Sequence, residues 1–119
     1  MTADSFQGFI LDQLSGLRAL ACRAMFGGYG LYCGERFFGI LFNGRLYFKV
    51  DSTTLPRYQA CGMHAFRPSA TMTLKSYYEV PVDVLEDAEE LLAWARAAID
   101  VQHRAPSTTR RRQNQAKRR

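Results

Sequence analysis

The chain is sparing with the residues that do most covalent and metal chemistry. It has three cysteines, Cys22, Cys33 and Cys61, with no CxxC pair, and two histidines, His64 and His103. An odd number of widely spaced cysteines argues against a disulfide framework and against a thioredoxin-like motif. Reduced thiols in a cytosol are the expected state. Long apolar runs are missing too: no stretch approaches the roughly 18 residues that cross a bilayer. The opening MTADSFQGFI also lacks the basic start and apolar core of a signal peptide. The expectation is a soluble, cytoplasmic protein with no membrane partner.

Acidic residues are absent after Pro106, where Arg110, Arg111, Arg112, Lys117, Arg118 and Arg119 are concentrated. The residues before it hold ten basic and eleven acidic side chains, so the formal charge of +5 belongs to the end of the chain. Such a segment cannot bury enough apolar surface to order itself. Residues 1–105 therefore read as one domain and 106–119 as a disordered basic tail. With 47% hydrophobic and 13% aromatic residues, the domain has enough apolar surface for one core. The tail suits weak, nonspecific nucleic-acid contact, although no aromatic residue interleaves its charges for stacking. A solvated terminus accounts for it equally well.

Hydrophobic spacing predicts a helix from Thr2 to about Leu20, with Phe6, Phe9, Ile10, Leu14 and Leu17 on its apolar side. The period then changes to two. MFGGYGLYC, RFFGILF and RLYFKV read as a three-strand meander, and Asn43-Gly44 as a type I′ turn between the second and third. Ser52 to Ala60 reads as a short helix capped by Ser52 or Thr53 and stopped by Gly62. Strands follow at Ala65 to Arg67 and Met72 to Tyr78. Asp87, with Glu90 three residues on, opens a last helix whose buried stripe is Leu91, Trp94, Ala95, Ala98 and Ile99. The fold class is α+β, a two-layer domain with an antiparallel sheet flanked by N- and C-terminal helices.

A two-residue loop at Asn43-Gly44 sets the register and places Phe37, Leu41, Leu46, Phe48 and Val50 on one face. Strict alternation assigns Phe38, Ile40, Phe42 and Tyr47 to the other, with Tyr29 and Leu31 beside them. Both faces are apolar, whereas a small antiparallel sheet usually has one wet face. The second face is therefore expected to lie under another helix or a partner subunit. Phe38, Ile40, Phe42 and Tyr47 are the candidate partner surface, and a homodimer is the expected assembly.

Other motifs carry bland readings. Gly27-Gly28-Tyr29-Gly30 lacks the following helix of a phosphate loop and reads as a bend in a strand. Cys61 and His64 have the spacing of half a metal site, with Cys22 and Cys33 as imaginable completing ligands, but zinc sites normally show two ligand pairs. Tyr77, Tyr78 and Glu79 form a polar aromatic cluster at a strand end, more often rim packing than a site. No catalytic residue, metal or cofactor is expected.

The ordered series Met25 to Tyr32 (MFGGYGLY), Gly34, Phe37, Leu46-Tyr47, Lys49-Val50, Gly62-Met63, Phe66 and Tyr77 to Pro81 (YYEVP) resembles the N-terminal domain of TfoX/Sxy proteins. Val84 to Asp87 and Leu91 with Trp94 extend the resemblance, which runs from about Phe6 to Ile99. It implies a secretion-chaperone-like architecture and a role in regulating natural competence genes, where full-length relatives are coactivators with the cyclic-AMP receptor protein. Those relatives carry a second, helical domain where this sequence has its basic tail. The family offers no catalytic residues to carry over. The expected function is thus a non-enzymatic regulatory or protein-binding module, with transcription machinery as a candidate partner. The alternatives are nucleic-acid association through the tail, and a small-molecule enzyme using a cleft between Tyr77, Glu79 and the Gly27-Gly28 bend.

Overall fold

The computed structural model describes residues 3–25 and 27–104. Helix α1 (Ala3–Gln13) leads into strands β1 (Leu20–Met25), β2 (Gly28–Cys33), β3 (Arg36–Phe42) and β4 (Arg45–Lys49). Helix α2 (Leu55–Ala60), strands β5 (Ala65–Ser69) and β6 (Met72–Glu79) and helices α3 (Val82–Leu85) and α4 (Ala88–Arg104) complete the order. The six strands make one antiparallel sheet in the order β1-β2-β3-β4-β6-β5. The α+β class with terminal helices on an antiparallel sheet is what the sequence predicts. The basic tail lies outside the described residues.

The first helix is shorter than its spacing predicts. It stops at Gln13, and Leu17 N–H bonds to the Leu14 carbonyl in a following turn. Ile10 and Leu14 remain fully buried, so the apolar period outlasts the helix that it suggests. Residues 14–19 form turns and Leu20 opens β1, and the expected single strand MFGGYGLYC is a hairpin: the chain reverses at Gly27 and Met25 pairs with Gly28. The Asn43-Gly44 turn stands as predicted, with φ of 57° and 74° and Phe42 paired with Arg45. Positive φ at both central residues matches the strand twist, which is why this dipeptide serves there.

Helix ends follow local chemistry. Asp51, rather than Ser52 or Thr53, organises the entry to α2: its Oδ1 accepts from the Thr53 amide at 2.9 Å and the Thr54 amide at 3.3 Å. At α4 the Asp87 carboxylate accepts from the Glu90 amide at 3.2 Å, as a capping residue should. Glu90 does not return the bond; its Oε2 accepts from the Trp94 indole at 3.0 Å.

All helices pack on one face of the sheet. That core joins Ile10 and Leu14 of α1, Tyr58 of α2, Val84 of α3 and Leu91, Trp94, Ala95, Ala98 and Ile99 of α4 to Leu31, Phe38, Leu41, Leu46, Phe48 and Val50. Tyr58 and Trp94 meet edge to face with centroids 4.8 Å apart. Gln13 donates to the Leu85 carbonyl at 2.9 Å, tying α1 to α3.

The expected face assignment fails at one residue and then propagates. Leu31 pairs with Gly39, whereas the next residue, Tyr32, pairs with Phe37, so β3 carries an extra residue at Phe38. Such a β-bulge turns successive side chains to the same side. Phe38 therefore joins the helix-covered core, fully buried, and Phe37 moves to the opposite face. Tyr29 and Leu31 change sides for the same reason.

The second face is covered by neither a helix nor, within this chain, anything foreign: the β5-β6 hairpin folds over it. Phe66 of β5 lies with ring centroids 4.6 Å from Tyr47 of β4 and 5.3 Å from Phe42 of β3. In a flat sheet β5 and β3 would stand about 14 Å apart. The sheet curls because β6 bends: Tyr78 opposes Ala65 while Leu74 opposes Phe66, leaving three β6 residues within one step of β5. Ile40 is 2% and Tyr47 8% exposed as a result.

Candidate functional site

The helix-free face carries a row of rings that crosses the sheet. Tyr32 of β2 and Phe37 of β3 have centroids 5.2 Å apart, and Phe37 and Tyr77 of β6 5.6 Å. Gly30 makes the row possible. A Cβ there would meet Met25 Sδ at 2.7 Å and the Phe37 and Tyr32 rings at 3.0 and 3.2 Å, so any larger residue would have to displace these side chains. Both ends are capped by cations: the Arg23 guanidinium stands 4.8 Å from the centre of the Tyr32 ring, and Lys49 Nζ 5.1 Å from that of Tyr77.

Electrostatics distinguish these cations from Arg45, whose Nη1 donates to both carboxylate oxygens of Glu79 at 3.0 and 3.2 Å. Among the described residues neither Arg23 nor Lys49 has a carboxylate within ion-pair distance. Burial alone pulls the Lys49 ammonium below its ordinary 10.5. Tyr77 is pushed up to about 12, chiefly by burial and further by the Tyr32 hydroxyl. Burial likewise raises Tyr47, with Glu79 adding to it and Arg45 opposing, and it raises Tyr58.

These shifts fix the sign of an alkaline response. An unfolded tyrosine ionises near 10.0, whereas folded Tyr77 holds its proton to about 12. The contribution from Tyr77 is therefore complete below pH 10 and is lost as pH rises toward 12. Lys49 works the other way, since the unfolded chain keeps that proton longer. Denaturant midpoints taken across this window should fall in the wild type and fall less steeply in Tyr77→Phe.

The structure separates most of the residues that sequence groups together. Of Phe38, Ile40, Phe42 and Tyr47, Phe38 is on the other face and Ile40 and Tyr47 are sealed under the hairpin, leaving Phe42 half-buried. They are not a continuous exposed surface. Tyr77 and Tyr78 point to opposite faces, Tyr78 toward Tyr58. The pocket at Gly27-Gly28 has a volume of about 30 Å³ and is lined by neither Tyr77 nor Glu79. No group of three or more His, Cys, Asp or Glu that could hold a metal is present among the described residues, so Cys22, Cys33, Cys61 and His64 do not converge. The tail cations Arg110, Arg111, Arg112, Lys117, Arg118 and Arg119 lie outside the described residues.

A family model described as the TfoX N-terminal domain matches residues 12–102 of the 119-residue chain. The chain belongs to that family. No curated protein matches it. In this TfoX N-terminal domain the glycines of GGYG serve the sheet: Gly28 lies against the Leu41 carbonyl and Gly30 under the ring row. Sequence reasoning missed Arg23, Tyr32 and Lys49 as a group. Its signal was the basic residue beside an aromatic in RLYFK and the isolated Arg in LACRAM, but without β1 and the bulge these could not be placed together.

A second feature of the domain is the tip of the β5-β6 hairpin. Phe66, Pro68, Ser69, Met72 and Leu74 line an apolar pocket of about 280 Å³. Met72 is 51% exposed. No helix in the described residues is long and apolar enough to cross a membrane.

Proposed function

We propose that the protein is a non-enzymatic, cytoplasmic regulatory module that acts by binding another protein, as the TfoX/Sxy coactivators of competence genes do with the cyclic-AMP receptor protein. The observation that carries this reading is the apolar pocket at the hairpin tip with exposed Met72 beside it. Flexible, polarisable methionines suit adaptable protein contacts. Pro68 has no N–H to extend the ladder on edge strand β5, which favours recognition by side chains over strand addition.

Affinity capture with the full chain, read by mass spectrometry, tests this. Recovery of the cyclic-AMP receptor protein or RNA polymerase from the wild type, reduced at least about tenfold for Met72→Lys, is the expected result. Recovery of only its own chain would make the partner a second copy and the module a homodimer. Undiminished capture by Met72→Lys would remove the hairpin tip from the reading.

A further inference from the structure

Strand β1 is one edge of the sheet, and the phase of its ladder fixes which backbone groups face outward. The Ala19 carbonyl accepts from the Gly34 amide at 2.9 Å, and the same register runs unbroken from Leu20 opposite Cys33 to Met25 opposite Gly28. Bonded and non-bonded pairs alternate along an antiparallel ladder. Ala21, Arg23 and Met25 therefore aim their N–H and C=O groups at β2, while Leu20, Cys22 and Ala24 aim theirs away from the sheet. Among the described residues nothing else bonds to these outward groups. Gln7 of α1 does reach Cys22, but it donates to the thiol at 3.2 Å and leaves the backbone edge open.

Edge strands are normally guarded by proline, by bulges or by charge. The far edge, β5, has Pro68 and a register that shifts twice. Strand β1 has neither, since LACRAM contains no proline or glycine and pairs in register over six residues. Its single charge does not guard it either. The Arg23 guanidinium leans inward over the Tyr32 ring of β2, 4.8 Å from the ring centre.

The strand is complementary to itself. Two copies of β1 related by a two-fold axis must match outward residues with outward residues, and an axis through Cys22 matches all three. Leu20 then meets the second copy's Ala24, Cys22 meets Cys22, and Ala24 meets Leu20, each pair exchanging both of its bonds. On the other face Arg23 stands opposite the small Ala21 of the second copy. Centring the axis on Arg23 would instead oppose like charges and leave Leu20 unmatched. Head-to-tail pairing of β1 with another copy's β5 is disfavoured by Pro68, so the contact closes as a dimer.

We propose that β1 is a dimerisation edge, on which a second copy of this chain lays its own β1 antiparallel with Cys22 opposite Cys22. The two sheets become continuous, with the helices of both copies on one side. Strand β1 and the hairpin tip share no residue and lie at opposite edges of the sheet, so this proposal and the protein-binding reading can fail separately.

Sedimentation equilibrium of the full chain over a wide concentration range tests it. The wild type should dimerise reversibly. Ala24→Pro removes an outward amide that the fold does not use, so it should sediment as a monomer with an unchanged near-UV circular dichroism spectrum. Ala21→Arg sets like charges opposite each other twice and should weaken the dimer about tenfold, whereas Ala21→Glu, facing the second copy's Arg23, should hold it at least as tightly as the wild type. These two variants decide the matter if the proline disturbs β1. A short bismaleimide should link two copies of the Cys33→Ser/Cys61→Ser variant, in which Cys22 lies about 5.5 Å from its counterpart, but not two copies of Cys22→Ser/Cys61→Ser. A monomeric wild type, a dimer that keeps its strength in a folded Ala24→Pro or in Ala21→Arg, equal weakening by Ala21→Arg and Ala21→Glu, or linkage through Cys33 in place of Cys22 would overturn the proposal.

Discussion

Replacing Phe38 by alanine is expected to lower the free energy of unfolding by about 3–5 kcal/mol, while Phe37→Ala, one residue away, costs about 1.5 kcal/mol. The contrast tests the bulge. Phe38 is 0% exposed and packs against Phe48, with ring centroids 5.8 Å apart, beneath α4. Removing its ring opens a cavity that a sheet clamped between bonded neighbours cannot close. Phe37 is half-buried on the other face, in contact with Tyr32 and Tyr77, so water can occupy the space that it leaves. Strict alternation predicts Phe37 under the helices, and with it the reverse ranking. Urea unfolding of both variants, with unchanged m-values to show that the unfolded state is the same, decides between them. Equal losses, or a larger loss for Phe37→Ala, would contradict the register described here.

The second large effect is expected at Gly28. A Cβ there would lie 2.2 Å from the Leu41 carbonyl oxygen, which is backbone and cannot swing aside. Gly28→Ala must push β2 from β3, with an expected cost of about 3 kcal/mol. Gly27 supplies the control. It has φ of 79° but nothing within 4 Å of its Cβ position, so Gly27→Ala meets only the left-handed backbone penalty of about 1 kcal/mol. Thermal or urea unfolding of the two variants should place Gly28→Ala clearly lower. A reversed order would mean that the turn, rather than the close approach of two strands, explains the glycine pair.

Both predictions rest on features that alternation alone could not supply. The Asn43-Gly44 turn, the capping Asp87 and the stripe Leu91, Trp94, Ala95, Ala98 and Ile99 were legible because each reflects interactions within a few residues. The end of α1 was not, since Leu17 keeps helical spacing while sitting beyond the helix. Nor was β1, whose Leu and Ala content suits a helix as well as a strand and whose pairing with β2 decides the matter.

The candidate site shows the same division more sharply. Tyr77 and Lys49 could each be noticed in the chain, but the tyrosine was grouped with Glu79 and a distant glycine bend, and Arg23 was assigned no role. What unites Arg23, Tyr32, Phe37, Tyr77 and Lys49 is the order of five strands together with one extra residue in β3.

By itself the sequence determined the α+β class, the antiparallel pairing through Asn43-Gly44, the family and the concentration of positive charge after Pro106. Tertiary structure alone decided which rings face the helices, how the second apolar face is covered and which cations stand over aromatic rings. The reason is physical. Turns and caps are satisfied by neighbours in the chain, whereas a bulge at Phe38 and a bend in β6 are settled by how six strands and the helices above them fill space together.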